Sequence, residues 1–291
     1  EALKKMGVKL SIRNGYVHAE RRNEKLSAIK HSFSKISVGA TQNILMASTL
    51  AKGKSVLKNC AIEPEVIDLI KFLTECGAKI KVKDRTLTIQ GVDELNLHNH
   101  EVIADRVEAG SYILATMASK GKITLNNINI DDLAFPLEVY QSMGLKIKQL
   151  NPSSYEFSCS NLKSLKKIKT KEFPGYPTDL QAQLIASLLK VGQKSKITEN
   201  IFENRFIHIP ELRRFGAQLD INGNTVVVNK TNDLFGAEVM ATDIRASFSL
   251  IIAAIISKGT TTINRIYHLD RGYEDFDLKL KKCGVNIKRK K

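Results

Sequence analysis

LTECGAKIKV (73–82), YQSMGLKIKQ (140–149), LRRFGAQLDI (212–221) and LKKCGVNIKR (280–289) are one pattern written four times. In each, a helical run stops at a glycine and an alternating strand follows. Glycine suits the position just past a helix, where φ turns positive, and the alternation after it fits a half-buried strand. Gly7, after EALKKM, is a fifth instance, and the five glycines are 70, 67, 72 and 68 residues apart. A second series, Gly53, Gly121, Gly192 and Gly259, is spaced by 68, 71 and 67, with AKGKSVLKN, SKGKITLNN and SKGTTTINR around three of its members. A period near 70 is too long for a solenoid unit and long enough for a small βαβαββ module. The expected class is therefore α/β (α+β), with four near-complete modules. The 291 residues exceed what one core usually serves, so two domains are expected. EALKKMG reads as the last helical turn of a further module, so the chain is expected to be N-terminally incomplete, the C-terminal portion of a longer protein.

Composition narrows the function. The longest apolar run, 248–256, is far shorter than a membrane span and reads as a buried helix. The formal charge of +15 invites nucleic acid as a partner. The lysines, however, are scattered rather than striped, and aromatics are only 6 % with no Trp, so neither nucleic acid nor a membrane is expected. Arginine is distributed differently: Arg205, Arg213, Arg214, Arg245, Arg265 and Arg271 gather in unusual blocks of the last third. Its planar fork suits carboxylate or phosphate, so the expected partner is a small anion. Cys76 and Cys283 fall where other modules have Met6, Met143 and Phe215, Cys60 falls where they have Ile128 and Ile266, and Cys159 sits in the strand-like YEFSC. All four are expected to be buried apolar residues in a reducing cytoplasm, with no metal spacing.

Six blocks carry chemistry. EFPGYPTDLQAQ places Asp179 just past Pro174, Gly175 and Pro177, at the start of an apolar helix. TENIFENRFIHIPELRR follows, dense in arginine, which suggests a base beside an anion-binding surface. HSFSKISVGATQ puts Lys35, Ser37 and Gly39 on a loop opening a helix at about Thr41; this is either a phosphate site or a capped helix with a solvated lysine. In IADRVEAG, Asp105 is expected as an N-cap with Arg106 as its surface partner. In MATDIRAS, Thr242 or Asp243 caps a helix whose first turn carries Arg245, a cation opposed by the helix dipole unless an anion compensates it. RIYHLDRGYE offers Arg271 at a comparable place, and the two arginines could clamp one dianion. His268 has no ligand set around it, and no metal is expected.

KISVGATQNILMASTLA, EPEVIDLIKFL, DRVEAG, PTDLQAQ, TENIFENRFIHIPELRR, MATDIRAS and RIYHLDRGYE together resemble the UDP-N-acetylglucosamine 1-carboxyvinyltransferases, a family of enolpyruvyl transferases, from Glu1 to Arg289. The resemblance implies inside-out α/β barrel domains of the enolpyruvyl transferase type, built from βαβαββ repeats. Residues 1–103 would be the remaining part of the first, Cys-loop-bearing domain, and 104–291 the second. About the first 125 residues of the family would lie outside this chain. It implies transfer of the enolpyruvyl group of phosphoenolpyruvate to the 3′-hydroxyl of UDP-N-acetylglucosamine by addition and elimination. That is the first committed step of peptidoglycan synthesis, in the cytoplasm and without a cofactor.

By the same resemblance, Lys35, Ile36, Ser37 and Val38 match the segment holding the diphosphate and uracil. Asp179 matches the carboxylate on the sugar hydroxyl, proposed as general base, and Ile201 a sugar-nucleotide contact. Arg245 and Arg271 match the arginines at the phosphoenolpyruvate end, and Arg205 a motif arginine near the cleft. The family's acid Cys, an additional Arg and a phosphoenolpyruvate-binding Lys have no counterpart in this chain. The chain is therefore expected to turn over only with its own N-terminal portion as partner. The alternatives are a catalytically dead sugar-nucleotide-binding remnant and a 5-enolpyruvylshikimate-3-phosphate synthase-like transferase.

Overall fold

The computed structural model describes residues 1–21 and 23–290, which fall into two compact units, Glu1–Ile103 and Ala104–Lys291. The first unit opens with helix α1 (Ala2–Lys5) and an antiparallel hairpin, β1 (Val8–Arg13) with β2 (Tyr16–Arg21). One whole module follows: β3 (Lys30–Ser32), α2 (Val38–Thr49), β4 (Lys54–Lys58), α3 (Pro64–Glu75), β5 (Lys79–Lys83) and β6 (Thr86–Gln90). Its sheet has the order β3-β4-β6-β5, with β3 parallel to β4 and the β5–β6 hairpin folded back so that Leu57 pairs with Leu87.

The second unit holds three further modules. The first consists of α4 (Arg106–Ala118), β7 (Lys122–Leu125), α5 (Ala134–Ser142), β8 (Lys146–Asn151) and β9 (Ser154–Ser158), with sheet order β7-β9-β8. Next come β10 (Lys167–Lys169), α6 (Gln181–Ser187), β11 (Ser195–Thr198), α7 (Ile209–Arg214), β12 (Leu219–Asn222) and β13 (Thr225–Val228). They repeat the first unit's topology as β10-β11-β13-β12. The last has a parallel pair, β14 (Glu238–Met240) and β15 (Thr262–Asn264), with α8 (Ser247–Ile256), α9 (Tyr267–Asp270) and α10 (Phe276–Lys282).

Helices occupy the inside of the second unit and sheets the outside. All seven residues of α6 are buried, as are Val107 and 109–117 of α4 and 247–253 of α8, and the three helices pack on one another. A helix covered on every side can be apolar all round, which is how 248–256 reads. The strands alternate instead. In β10 Ile168 is buried between exposed Lys167 and Lys169, and in β11 Ile197 is buried beside exposed Lys196. Alternation with period two sends apolar side chains to the helices and lysines to the opposite face. The architecture is the inside-out α/β type, but its sheets stay separate, and none closes into a barrel among the described residues.

The repeat glycines do what the period requires. Gly7, Gly77, Gly144, Gly216 and Gly284 all have φ between +90° and +108° and follow the C-caps of α1, α3, α5, α7 and α10. The second series is less uniform. Gly53 and Gly259 have positive φ, whereas at Gly121 the preceding Lys120 adopts the left-handed conformation instead. Four of the cap residues are buried under a returning segment, which donates an N–H to the cap carbonyl: Ser27 to Met6, Asn96 to Cys76, Lys163 to Met143 and Phe235 to Phe215. This corrects the cysteine expectation at one position. Cys60, Cys76 and Cys159 are buried, but Cys283 lacks such a cover among the described residues and is exposed.

Candidate active site

Lys35 to Val38, Asp105, Asp179 and Arg245 lie at or just before the start of a helix, where backbone N–H groups lack partners and polar side chains supply them, whereas Ile201 and Arg205 are on a loop and Arg271 ends a helix. In the first unit α2 begins at Val38, three residues before the sequence expectation. Ser37 is its N-cap, its Oγ accepting from Ala40 N at 3.3 Å, so Gly39 lies inside the first turn. Ile36 and Val38 pack partly into that unit's core, which leaves Lys35 exposed with no ion-pair partner among the described residues. An unpaired ammonium beside a capped helix start is a local anion-binding arrangement.

In the second unit the helix starts are tied together. Asp105 caps α4, as expected: its Oδ1 accepts from Val107 N (2.8 Å) and Glu108 N (3.1 Å). Its partner is not Arg106, whose guanidinium lies 5.7 Å from the Phe173 ring centre. Asp105 Oδ2 instead accepts from Arg245 Nη2 at 2.9 Å, joining the starts of α4 and α8. Arg245 also donates to Gly272 O (3.1 Å) and lies 5.4 Å from the centre of the Tyr273 ring. It precedes α8 by two residues rather than standing in the first turn, and Asp243 makes the cap there, accepting from Arg245 N (2.9 Å) and Ala246 N (2.7 Å). Burial works to lower the Arg245 pKa, but Asp105, Tyr273 and Asp179 outweigh it and hold the guanidinium above its ordinary value. The compensating anion that a cation at a helix start needs is thus Asp105, with Asp179 close enough to contribute.

Asp179 lies in a 3-10 turn, Thr178–Leu180, that leads into α6. It makes no cap. Its Oδ1 accepts from Arg205 Nη2 at 2.5 Å, and the Arg205 guanidinium sits 4.9 Å from the Phe202 ring centre. Both side chains stay partly exposed, so the pair is open to a ligand. Arg271 ends α9, exposed and without an ion-pair partner among the described residues. Its neighbour Gly272 supplies the carbonyl that holds Arg245. A side chain at Gly272 would put Cβ 2.3 Å from Ile244 Cγ2, so this close approach requires glycine. Ile201 is half-buried in the loop between β11 and Arg205. The remaining arginines of that stretch are structural. Arg213 donates to Leu219 O (2.7 Å from Nη2) and Arg214 to Glu238 O (2.7 Å), which removes both from the expected anion-binding surface.

Several polar residues that the sequence reading did not single out support this arrangement. Tyr273, 1 % exposed, shares a hydrogen bond with Ser111 Oγ (2.9 Å) and accepts from Gln183 Nε2 (3.1 Å). Gln183 Nε2 also reaches Asp179 O at 2.9 Å. The signal for them was a serine on α4 and a glutamine on α6 inside otherwise apolar helices, since buried polar groups are kept where they find partners.

His208, beside the Arg205 loop, is completely buried with both ring nitrogens unpartnered, and burial followed by the Arg205 charge pushes its pKa down to about 3. Between that value and the ordinary 6.5 the unfolded chain binds the extra proton, so stability is full above pH 6.5 and falls as pH drops. Going from pH 6.5 to 5 should cost the native protein about 2 kcal/mol more than it costs His208→Leu, at about 1.4 kcal/mol per unit. Urea unfolding of both at the two pH values measures this; equal losses would exclude it.

Among the described residues no cluster of three or more His, Cys, Asp or Glu could hold a metal, and no helix is long and apolar enough to cross a membrane.

Known proteins resemble the chain over nearly all of its length. A family profile described as EPSP synthase (3-phosphoshikimate 1-carboxyvinyltransferase) matches residues 1–280. A protein of Pelagibacter ubique named UDP-N-acetylglucosamine 1-carboxyvinyltransferase is 46 % identical over 290 residues, which span 99 % of this chain and 69 % of the relative. Proteins of the same name from Bartonella henselae and a Psychrobacter species are 46 % and 43 % identical, each over 99 % of this chain and 68 % and 67 % of their own length. Among solved structures, the enolpyruvyl transferase NikO from Streptomyces tendae superposes with a TM-score of 0.87 at 23 % identity, over 99 % of this chain and 71 % of NikO. EPSP synthase from Acinetobacter baumannii gives 0.73 at 15 %, over 100 % of this chain and 70 % of that one. At those identities the two structures speak for the fold.

Proposed function

The chain belongs to the enolpyruvyl (carboxyvinyl) transferase family, and from that premise we propose that it joins the enolpyruvyl group of phosphoenolpyruvate to the 3′-hydroxyl of UDP-N-acetylglucosamine. The product commits the sugar nucleotide to peptidoglycan. The observation that carries the reading is the Asp179–Arg205 pair, partly exposed and within the field of Arg245, which Asp105 and Gly272 hold in place. The relatives at 42–46 % identity favour the sugar nucleotide over shikimate 3-phosphate as acceptor.

Asp179, as a carboxylate, takes the proton of the 3′-hydroxyl while that oxygen attacks C2 of phosphoenolpyruvate. C3 takes up a proton, which gives a tetrahedral ketal. Loss of a C3 proton and cleavage of the C2–O bond to phosphate then restore the double bond and release phosphate. The donor that protonates C3 is not assigned to a residue of this chain. Arg245 and Arg271 neutralise the phosphoenolpyruvate anion, and Arg205 orients the Asp179 carboxylate toward the hydroxyl. Lys35 with the Ile36–Val38 segment takes the diphosphate and uracil, Ser37 Oγ staying with the α2 cap, and Ile201 touches the sugar nucleotide. Residues 1–103 and 104–291 act as separate domains. The location is cytoplasmic, in keeping with four free cysteines.

The test is release of phosphate from phosphoenolpyruvate that depends on UDP-N-acetylglucosamine. It is run on this chain and on this chain joined to the N-terminal third of the Pelagibacter ubique relative, with shikimate 3-phosphate as the control acceptor. Release with the sugar nucleotide in either arrangement supports the reading. Silence in both, or release with shikimate 3-phosphate instead, overturns it.

A further inference from the structure

Glu199 follows β11 and is 3 % exposed. It has no cationic partner among the described residues. A buried carboxylate without a cation is costly unless its lone pairs are filled by donors. Here four donors fill them. Oε1 accepts from Ile201 N (2.8 Å), Phe202 N (3.1 Å) and Thr170 Oγ1 (2.9 Å), and Oε2 accepts from Thr178 Oγ1 (2.8 Å). Thr170 Oγ1 in turn accepts from Asn200 N at 2.8 Å.

The donors come from three separate segments. Thr170 follows β10, Thr178 adjoins Asp179 in its turn, and Ile201 and Phe202 open the loop that carries Arg205. One carboxylate therefore joins the backbone that carries the proposed base to the backbone that carries its arginine. The Asp179–Arg205 ion pair closes the same ring from the ligand side.

We propose that Glu199 is a positioning residue for the acceptor-hydroxyl site: its buried carboxylate fixes the Asp179 turn against the Ile201–Arg205 loop, so that Asp179 and Arg205 meet a sugar hydroxyl already paired. Its role in binding rests on the transferase reading; the geometry does not. Preorganised groups save the entropy of ordering at the moment of binding, which gives an interior residue leverage on affinity.

Thr178→Val removes the one bond that reaches the Asp179 turn and leaves the loop bonds in place. Thr170→Val removes the bond to the other carboxylate oxygen, together with the one that Thr170 Oγ1 accepts from Asn200 N. For both variants and the unmodified chain, three quantities are measured: solvent exchange of the Arg205 Nη protons, which include the donor to Asp179, by NMR, affinity for UDP-N-acetylglucosamine by calorimetry, and the melting temperature. Thr178→Val is expected to speed Arg205 exchange and weaken affinity by about tenfold each, the scale of one hydrogen bond to a charged group. Its melting temperature should be no lower than that of Thr170→Val, which loses two bonds yet keeps the tie between Glu199 and the Asp179 turn and so changes Arg205 exchange far less. Glu199→Gln, whose amide can still accept at the loop and donate to Thr178, should keep slow exchange, whereas Glu199→Ala should lose it.

The proposal is overturned if Thr178→Val leaves exchange unchanged, or if both threonine variants change exchange and melting alike, because the carboxylate would then serve the fold alone. If the unmodified chain binds no UDP-N-acetylglucosamine but Arg205 exchange responds to Thr178→Val alone, the positioning role stands and the substrate reading fails. Should Glu199→Ala not fold, the threonine pair decides.

Discussion

Asp179→Asn is expected to lower enolpyruvyl transfer by about two to four orders of magnitude, the range for removing a positioned acid–base group. The amide keeps the volume and can still accept from Arg205, so the turn before α6 should survive and the melting temperature should stay near that of the parent. What disappears is the capacity to take the hydroxyl proton. Phosphate release in the N-terminally completed protein is the measurement. A variant that retains more than about a tenth of the activity would remove Asp179 from the base role. Affinity for UDP-N-acetylglucosamine should fall far less than turnover, because the uracil and diphosphate contacts assigned to residues 35–38 are untouched.

Phe248→Ala should unfold the second unit far more easily. Phe248 is fully buried on α8, stacked on Tyr273 at 4.5 Å and edge-on to Tyr112 at 5.4 Å. Truncating a buried phenylalanine costs about 3–5 kcal/mol, and lost ring contacts add about 1 kcal/mol. For a unit of this size that amounts to a fall of about 10 °C in melting temperature. Calorimetric melting checks it, and a fall under about 3 °C would mean that the central helices close the gap. The site should also loosen, since Tyr273 carries the Arg245 guanidinium over its ring.

The repeating architecture was legible because glycine period and strand alternation are local signals. A helix that must end every 70 residues or so needs the same backbone conformation each time, and five glycines with positive φ provide it. The candidate residues were legible for a related reason: Asp105, Asp179 and Arg245 stand at helix starts in otherwise apolar runs, where charge is conspicuous. Their partners were not. Asp105 and Arg245 are 140 residues apart, and nothing near either one names the other. Arg213 and Arg214 looked like Arg205 in sequence because all three share one dense stretch. The difference lies in the strands they reach, Leu219 and Glu238, whose carbonyls consume them. Glu199 was invisible for the opposite reason, as one glutamate among many, distinguished only by the four donors that surround it after folding. Cys283 misled because its local string matches buried positions, and burial there depends on a segment returning some 20 residues later.

The outward lysines of the strands have a consequence for how the protein meets salt. They alternate with core-facing residues on β4, β5, β7, β8, β10 and β11, so much of the excess positive charge forms a coat over the sheets, facing away from the helices. At physiological ionic strength the screening length is about 8 Å, comparable to the spacing of charges on such a surface. Added salt therefore quiets the mutual repulsion of the coat first, and moderate salt should favour the folded state. The Arg245 guanidinium, largely withdrawn from solvent and tethered to Asp105, is screened much less. The same cationic excess thus divides into a part that ions in solution can mute and a part they barely reach.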